Sequence, residues 1–483
     1  MPQRSLTRRR LLQIATAAVA TAAGLAAAGQ SAPARAATTS SAAGTRPNFL
    51  FIFTDDQRYD ALGCVNPHAR TPHMDALAAR GVRFSNAFVT LSICSPSRAA
   101  VLTGLYGSAN GVTTLGTRIR EHLPTFASRL RQAGWRTGMA GKWHLGNTPA
   151  EVGFDEHRYF TSNGAYYNRQ VVVGGKKQKV PGFIDDWVAD QAVDFMTRAA
   201  ADRKPFVLWM CTQVPHMDHT MDWNPRKETL QRFDQDKMPL PATWNDDLAG
   251  KPPYLKTARS RTQAATYGYD KPEGIRCHWH RYLAALSEVD ASVGRALDAL
   301  KRLGLEDSTY VLLMGDNGWF LGEHGFTSKV LPYEESIRVP MVVAGPGIQP
   351  GVDDHLVLNI DLPATMYDWA GLPAPPMHGR SLRPILERRA DAAWRERFLY
   401  ESPQSVLGAC PLYAVRDGRW KYVRTFDLKD RDKLVFEELY DLQADPHETT
   451  NLAGRPGHAE RQKAMAQAMR SLRLEAAGVP GPP

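Results

Sequence analysis

Residues Asn48-Phe-Leu-Phe-Ile-Phe-Thr54 form an apolar run with no polar side chain between its ends. It has the length of one strand, and its lack of alternation means that both faces must be covered. Pro205-Phe-Val-Leu-Trp-Met-Cys211 and Ser308-Thr-Tyr-Val-Leu-Leu-Met314 read the same way, with a further strand at Arg136–Ala140. Helical patterns lie between them at 71–81, 123–134, 187–200 and 280–303. Alternating helices and doubly covered strands predict an α/β fold, a doubly wound and mostly parallel sheet flanked by helices. Polar motifs follow the runs: Asp55-Asp56-Gln57, Lys142-Trp143-His144, His216-Met217-Asp218-His219 and Gly315-Asp316-Asn317-Gly318. In open α/β sheets the carboxyl ends of the strands are where ligands bind. Lys142 and His144 would point the same way if their strand continued.

Between these runs, 155–183 reads as irregular, with a polar, aromatic loop at Asn163–Asn168. Residues 224–269 are Pro-rich and charged, an excursion expected to cover one face. Past Pro373-Ala-Pro-Pro376 a hairpin turning at Asp417-Gly418, a short strand at Glu438–Leu442 and a helix near 459–476 predict a smaller α+β unit. The expected organisation is a signal at 1–36, a linker at 37–46, a catalytic domain at 47–375 and a C-terminal subdomain at 376–483.

Thr7-Arg-Arg-Arg-Leu-Leu-Gln13, an alanine-rich stretch and Ala34-Arg35-Ala36 resemble a cleaved twin-arginine export signal. The expectation is a secreted or cell-envelope protein that engages the twin-arginine machinery and has no stable membrane insertion. Five arginines and no acid lie in residues 1–36, so the formal charge of +9 falls to +4 without them. That balance does not imply nucleic acid. None of Cys64, Cys94, Cys211, Cys277 and Cys410 forms a CxxC pair, which argues against a zinc site, and no disulfide framework is evident. The four besides Cys94 are expected to be reduced and buried.

Cys94-Ser95-Pro96-Ser97-Arg98 opens a small-residue helical run that stops at Gly104. Pro96 suits a first helical turn, placing Cys94 at a helix mouth, where backbone N–H groups and the dipole favour an anion. Arg98 adds a planar cation about one turn on. Asp55, Asp56, Asp316 and Asn317 make an all-oxygen set suited to a hard cation. With Leu102-Thr103-Gly104 behind it, the Cys94 stretch resembles the modification signature of the sulfatase family, within the alkaline phosphatase superfamily. The resemblance covers nearly the whole chain after residue 46, including Lys142, His144, His216, Lys329, Glu334-Glu335-Ser336 and Leu439-Tyr440-Asp441-Leu442.

The resemblance implies that a maturation enzyme converts Cys94 to formylglycine (3-oxoalanine), whose hydrate is the nucleophile. It implies a Ca2+ site, with Mg2+ the alternative, formed by Asp55, Asp56, Asp316, Asn317 and the modified Cys94. Asp316 would take a proton from the attacking hydroxyl, and Arg98, Lys142 and Lys329 would offset charge on the sulfate. His216, helped by Lys329, would protonate the leaving alcohol, and His144 would draw a proton from the second hydroxyl so that sulfate departs. A looser likeness to N-acetylglucosamine-6-sulfatases, in Pro225-Arg226-Lys227 and 245–250, implies a sulfated sugar or other small sulfate ester as substrate. Asn163–Asn168, His219 and 224–269 are then the expected walls. Two other readings remain: a phosphonate monoester or phosphodiester hydrolase of the same superfamily, and a non-catalytic secreted glycan-binding protein.

Overall fold

Parity along the buried strands decides the architecture. In the strand Asn48–Thr54, Leu50 and Ile52 join one core, while Phe49, Phe51 and Phe53 join another. Phe206–Cys211 and Thr309–Gly315 divide in the same way. Successive strand side chains point to opposite faces, so each strand feeds two cores. Helices Pro72–Ala79, Ile184–Ala201 and Pro272–Arg302 cover the first face. Helices Cys94–Thr103, Phe126–Gln132 and Asp361–Trp369 cover the second. Each fully buried apolar side chain contributes about 1.5–3 kcal/mol. The strand 48–54 alone is therefore worth on the order of 10 kcal/mol before entropy is counted.

The computed structural model describes residues 46–389 and 393–479. The signal read at 1–36, and the linker up to residue 45, lie outside the described residues. Among the described residues the main sheet has ten strands. At its centre Thr309–Gly315, Asn48–Thr54, Phe206–Cys211, Arg136–Lys142 and Glu156–Phe160 run parallel, in that order. Antiparallel pairs flank them, Met341–Ala344 on one side and Gln170–Val173 with Lys176–Lys179 on the other. The expected doubly wound α/β sheet is present, mixed at its edges. A separate antiparallel sheet holds Arg397–Ser402, Leu412–Asp417, Trp420–Phe426 and Leu434–Asp441, with helix Ala459–Ala477 packed on it.

Several local expectations change. The stretch 155–183 is not irregular: it carries a parallel strand and a hairpin. Lys176-Lys177-Gln178-Lys179 is wholly exposed and shows no apolar face, and such charge is how proteins blunt a sheet edge. Its signal was Gly174-Gly175, both at positive φ, as two-residue hairpins require. The long helix starts at Pro272 rather than His280, with proline in its first turn. The strand after Gly134 runs to Lys142 and stops, and His144 turns into the left-handed region at φ 61°, so the i, i+2 relation with Lys142 does not hold. The C-terminal sheet gains the strand 397–402, and its last strand starts at Leu434. All five cysteines are free, and of the four expected to be buried Cys64 is exposed and Cys277 only half-buried. Among the described residues no helix is long and apolar enough to cross a membrane.

The C-terminal sheet is tied to the main body through buried charge. Lys421, fully buried, lies 2.9 Å from Glu334 Oε1 and 2.8 Å from Glu448 Oε1. Glu448 Oε2 also accepts the Glu334 N–H at 2.9 Å. Burial works to raise Glu334, but Lys421, Arg416 and Arg338 bring it down to about 2. Removing one partner of a buried network leaves the others uncompensated. Lys421→Ala should therefore lower the unfolding free energy by about 3–5 kcal/mol. The exposed Lys429→Ala should stay within about 0.5 kcal/mol, both read by denaturant titration.

Candidate active site

Four adjacent parallel strands, all running in one direction, deliver their polar ends to one place. Asp55 and Asp56 follow the central strand, Asp316 and Asn317 follow Thr309–Gly315, Lys142 closes Arg136–Lys142, and His216 follows Phe206–Cys211. The Asp316 N–H donates to Thr54 O at 2.8 Å, and the Asp56 N–H donates to Asp316 Oδ1 at 3.0 Å. Asp56 sits at φ 61°, a costly conformation for a residue with a Cβ. The Tyr282 hydroxyl holds it there, donating to Asp56 O at 3.0 Å while accepting the Arg58 N–H at 2.9 Å.

Cys94 is the first residue of helix Cys94–Thr103, which Gly104 ends in the left-handed conformation. The two serines of the stretch are structural. Ser95 Oγ donates to His144 O and accepts the Gly116 N–H, and Ser97 Oγ accepts from Asn359 at 3.1 Å. Cys94 Sγ lies 3.1 Å from Lys329 Nζ, 3.4 Å from Lys142 Nζ and 3.4 Å from Asp55 Oδ1. Burial, helped by Asp55, pushes the thiol up to about 12. An unmodified thiol here stays protonated and is a poor nucleophile at neutral pH.

Lys142 pairs with Asp55 and Lys329 with Asp56. Arg98 donates from Nη1 to Lys142 O at 2.8 Å and from Nη2 to Asp316 Oδ2 at 3.0 Å, with Asp55 Oδ2 at 3.4 Å. Burial works to raise Asp55, but Lys142, His216, Arg98 and Lys329 hold it well below the usual carboxylate range. Burial raises Asp56 to about 7 and also raises Asp316, with the neighbouring carboxylates adding to both shifts.

Asp55, Asp56, Cys94 and Asp316 offer ligand atoms that all lie within 4.8 Å of one another. Asp56 Oδ2 and Asn317 Oδ1 are buried without a hydrogen-bond partner. Crowded carboxylates, two of them pushed up by burial and further by their neighbours' charge, together with orphaned oxygens, fit a hard divalent cation. Asp55, Asp56, Asp316 and Asn317 would hold it, with position 94 beside them.

All the residues expected at the site converge on it: Asp55, Asp56, Cys94, Arg98, Lys142, His144, His216, Asp316, Asn317 and Lys329. His144 is nearly buried, and its Nδ1 has no partner. His216 lies with Nε2 3.5 Å from Asp56 Oδ2 and its ring 5.8 Å from that of Trp319. His219 is exposed instead, its imidazole on the carboxylate of Asp218 at 3.7 Å. Of the loop 163–168, Asn163 touches His216, Tyr166 is buried with its hydroxyl on His216 O, and Tyr167 is exposed.

The sequence reading missed Asp185, Tyr282 and Trp319. Asp185 accepts the N–H groups of Gln213 and Val214, both at 3.0 Å, and so holds the turn that carries His216. The available signal was an acid on the apolar face of a helical first turn.

Such a cluster, at the carboxyl ends of an α/β sheet, is the site of a hydrolase that attacks a tetrahedral oxyanion ester. The Sulfatase family model matches residues 47–372, and one described as N-sulphoglucosamine sulphohydrolase, C-terminal, matches 322–475. The chain is 29% identical to the N-acetylglucosamine-6-O-sulfatase of Bacteroides thetaiotaomicron, over 87% of this chain and 85% of that one. A solved structure in complex with its substrate D-glucosamine-2-N,6-O-disulfate superposes with TM-score 0.81 at 27% identity, covering 89% and 98% of the two chains. The phosphonate monoester hydrolase of Silicibacter pomeroyi superposes with TM-score 0.74 at 25% identity, over 89% and 96%. The chain belongs to the sulfatase family. It is a sulfuric ester hydrolase.

Burial, with Lys142 adding, drives His144 down to about 2. An imidazole depressed from its ordinary 6.5 leaves the unfolded chain binding a proton that the folded chain refuses, so stability falls as pH drops below 6.5. His144→Asn keeps a residue that tolerates positive φ. The variant should lose about 2 kcal/mol less than the wild type between pH 6.5 and 5, measured by denaturant midpoints at each pH.

Proposed function

We propose that this chain hydrolyses a sulfate ester on a sugar, with a 6-O-sulfate of an amino sugar such as N-acetylglucosamine as the preferred substrate, through formylglycine at position 94. The geometry of Cys94 carries the reading: a helix-mouth side chain between two lysines and a carboxylate, with a thiol too basic to serve as it stands. Formylglycine would supply a hydrated aldehyde, a nucleophile able to release sulfate again by reforming its carbonyl. A bound Ca2+ would supply positive charge to sulfate oxygens and lower the pKa of a neighbouring hydroxyl.

The chain's own residues divide the remaining work. Lys142 and Lys329 flank position 94 and take the sulfate oxygens, where preorganised charge contributes most to such transfers. Arg98 donates from both Nη atoms to Asp55, Asp316 and a carbonyl and so holds the carboxylates in place, while its buried Nε has no partner. Asp316 accepts the proton of the attacking hydroxyl. His144, kept neutral by burial, has a free Nδ1 and serves as base. His216 presents Nε2 toward the leaving oxygen, with Lys329 assisting.

The likeness to the relative named for N-acetylglucosamine-6-O-sulfate and to the disulfated glucosamine complex supports the choice of sugar. The run of arginines at residues 8–10 supports export by the twin-arginine route after modification by a formylglycine-generating enzyme. The Silicibacter pomeroyi neighbour makes a phosphonate monoester the side substrate to compare, and sulfate esters should turn over faster.

The peptide containing residue 94 from active protein should be lighter than its cysteine form by mass spectrometry. Cys94→Ala should cost on the order of 10^4–10^6 in turnover while leaving the unfolding midpoint unchanged. A cysteine-only mass in fully active enzyme would end the formylglycine reading. Across a panel of sulfated monosaccharides, 4-nitrophenyl sulfate and choline sulfate, kcat/KM should favour the amino-sugar 6-O-sulfate by at least about tenfold over the other sugars. Equal values for all sugar positions would remove the 6-O assignment.

A further inference from the structure

His216 Nε2 already holds a partner that the reaction cannot leave in place. His216 Nδ1 lies 2.7 Å from Met217 O. A carbonyl accepts and never donates, so Nδ1 carries the proton, and Nε2 of the neutral ring presents a lone pair. The carboxamide of Asn163 fills it, with Nδ2 at 2.7 Å. This fixes the amide orientation: Nδ2 faces the ring and Oδ1 faces away. Oδ1 is buried and has no partner. Nε2 has one in-plane direction, and it must take up a proton there before it can protonate a leaving oxygen, so that proton and the Asn163 N–H cannot share the position. When the alcohol enters, the carboxamide must turn aside, and its donor and acceptor both come free beside the leaving group.

The backbone around Asn163 is held on both sides. Gln213 Nε2 donates to Gly164 O at 2.5 Å, and Tyr166 Oη donates to His216 O at 2.5 Å. Arg169, itself buried, donates to Ser162 O, and its guanidinium lies 3.9 Å from the Phe160 ring. Phe160 pairs in register with Lys142. A Cβ at Gly164 would stand 3.0 Å from the Arg169 Cζ, so glycine lets the loop lie flat on that guanidinium. The loop is bolted to the His216 segment and to the sheet, which leaves the Asn163 side-chain torsions as its freedom.

We infer that Asn163 is a specificity-determining residue. Displaced from His216 by the substrate, its carboxamide binds the hydroxyl of the leaving alcohol nearest the scissile ester and selects sugars over alcohols that lack such a group. A site with a buried amide discriminates strongly against analogues that leave it unpaired, whereas an apolar pocket does not. The inference rests on the sulfate-ester hydrolysis proposed above and assigns one residue to its choice of leaving group.

The test is a cycle between enzyme and substrate. Wild type and Asn163→Ala are each assayed on a sugar sulfate, on its deoxy analogue lacking the hydroxyl nearest the ester, and on 4-nitrophenyl sulfate. The expected result is a loss of about 10–100-fold in kcat/KM on the sugar sulfate, the range of one hydrogen bond to a buried amide. No loss is expected on the deoxy analogue and the aryl sulfate; both should turn over as well or better, since the variant has no carboxamide to leave unpaired. Asn163→Ser, which keeps a donor and an acceptor, should recover part of the sugar activity and shows that the loop still folds. Equal losses on all three substrates would overturn the assignment alone, because they would mark Asn163 as a support for His216. Turnover of no sulfate ester by the wild type would overturn the parent reading and this one with it.

Discussion

Three carboxylates, Asp55, Asp56 and Asp316, face three cations, Arg98, Lys142 and Lys329, in a space closed to solvent. Isolated charges there would cost far more than any single packing contact returns, so each must keep its partner. That demand reaches outward. Arg98 can meet Asp55 and Asp316 because its helix packs against one face of the sheet through Ala99, Val101 and Leu102. Lys142 can meet Asp55 because its strand stands one strand away from Asn48–Thr54, with Phe206–Cys211 between them. The sheet order is therefore also the wiring of the charges.

Strain sits in the same place. Asp56 and His144 are both in the left-handed region, and each is over-determined by neighbours: Asp56 by Tyr282 and Lys329, His144 by the Ser95 hydroxyl on its carbonyl. Local cost at a site persists where the surroundings leave no cheaper arrangement. The serine after Cys94 thus serves the site through the backbone of a distant loop.

A second charge network holds the excursion and the C-terminal sheet. Lys251, on the excursion and buried, donates to Glu448 O at 2.7 Å and to the Tyr440 hydroxyl at 3.2 Å, and lies 4.0 Å from the Tyr333 ring. His324 Nδ1 meets Asp246 at 2.6 Å. Glu334, Lys421 and Glu448 complete the tie. Lys329 stands on the loop between His324 and Glu334, so the side chain beside Cys94 is steadied from both ends by residues far away in the chain.

The apolar run 48–54, the acids after it, the helix mouth at Cys94 and the polar ends of the other strands were legible in the sequence, because burial on two faces and helix initiation leave local periods and local residue choices. The charged and polar groups around Cys94 followed from those strand ends and from likeness to a family signature, whereas Asp185, Tyr282 and Trp319 did not. The edge hairpin at 170–179 was hidden because its lysines serve solubility at a sheet edge and bury nothing of their own. Only tertiary structure decided that Asn163 fills the lone pair of His216, that Tyr282 holds Asp56, that Asp185 carries the turn before His216 and that His219 faces solvent. These contacts join residues that are distant in sequence or set by loop geometry. No period or spacing in the chain encodes them, and they exist because packing brings one buried polar group to the other that can satisfy it.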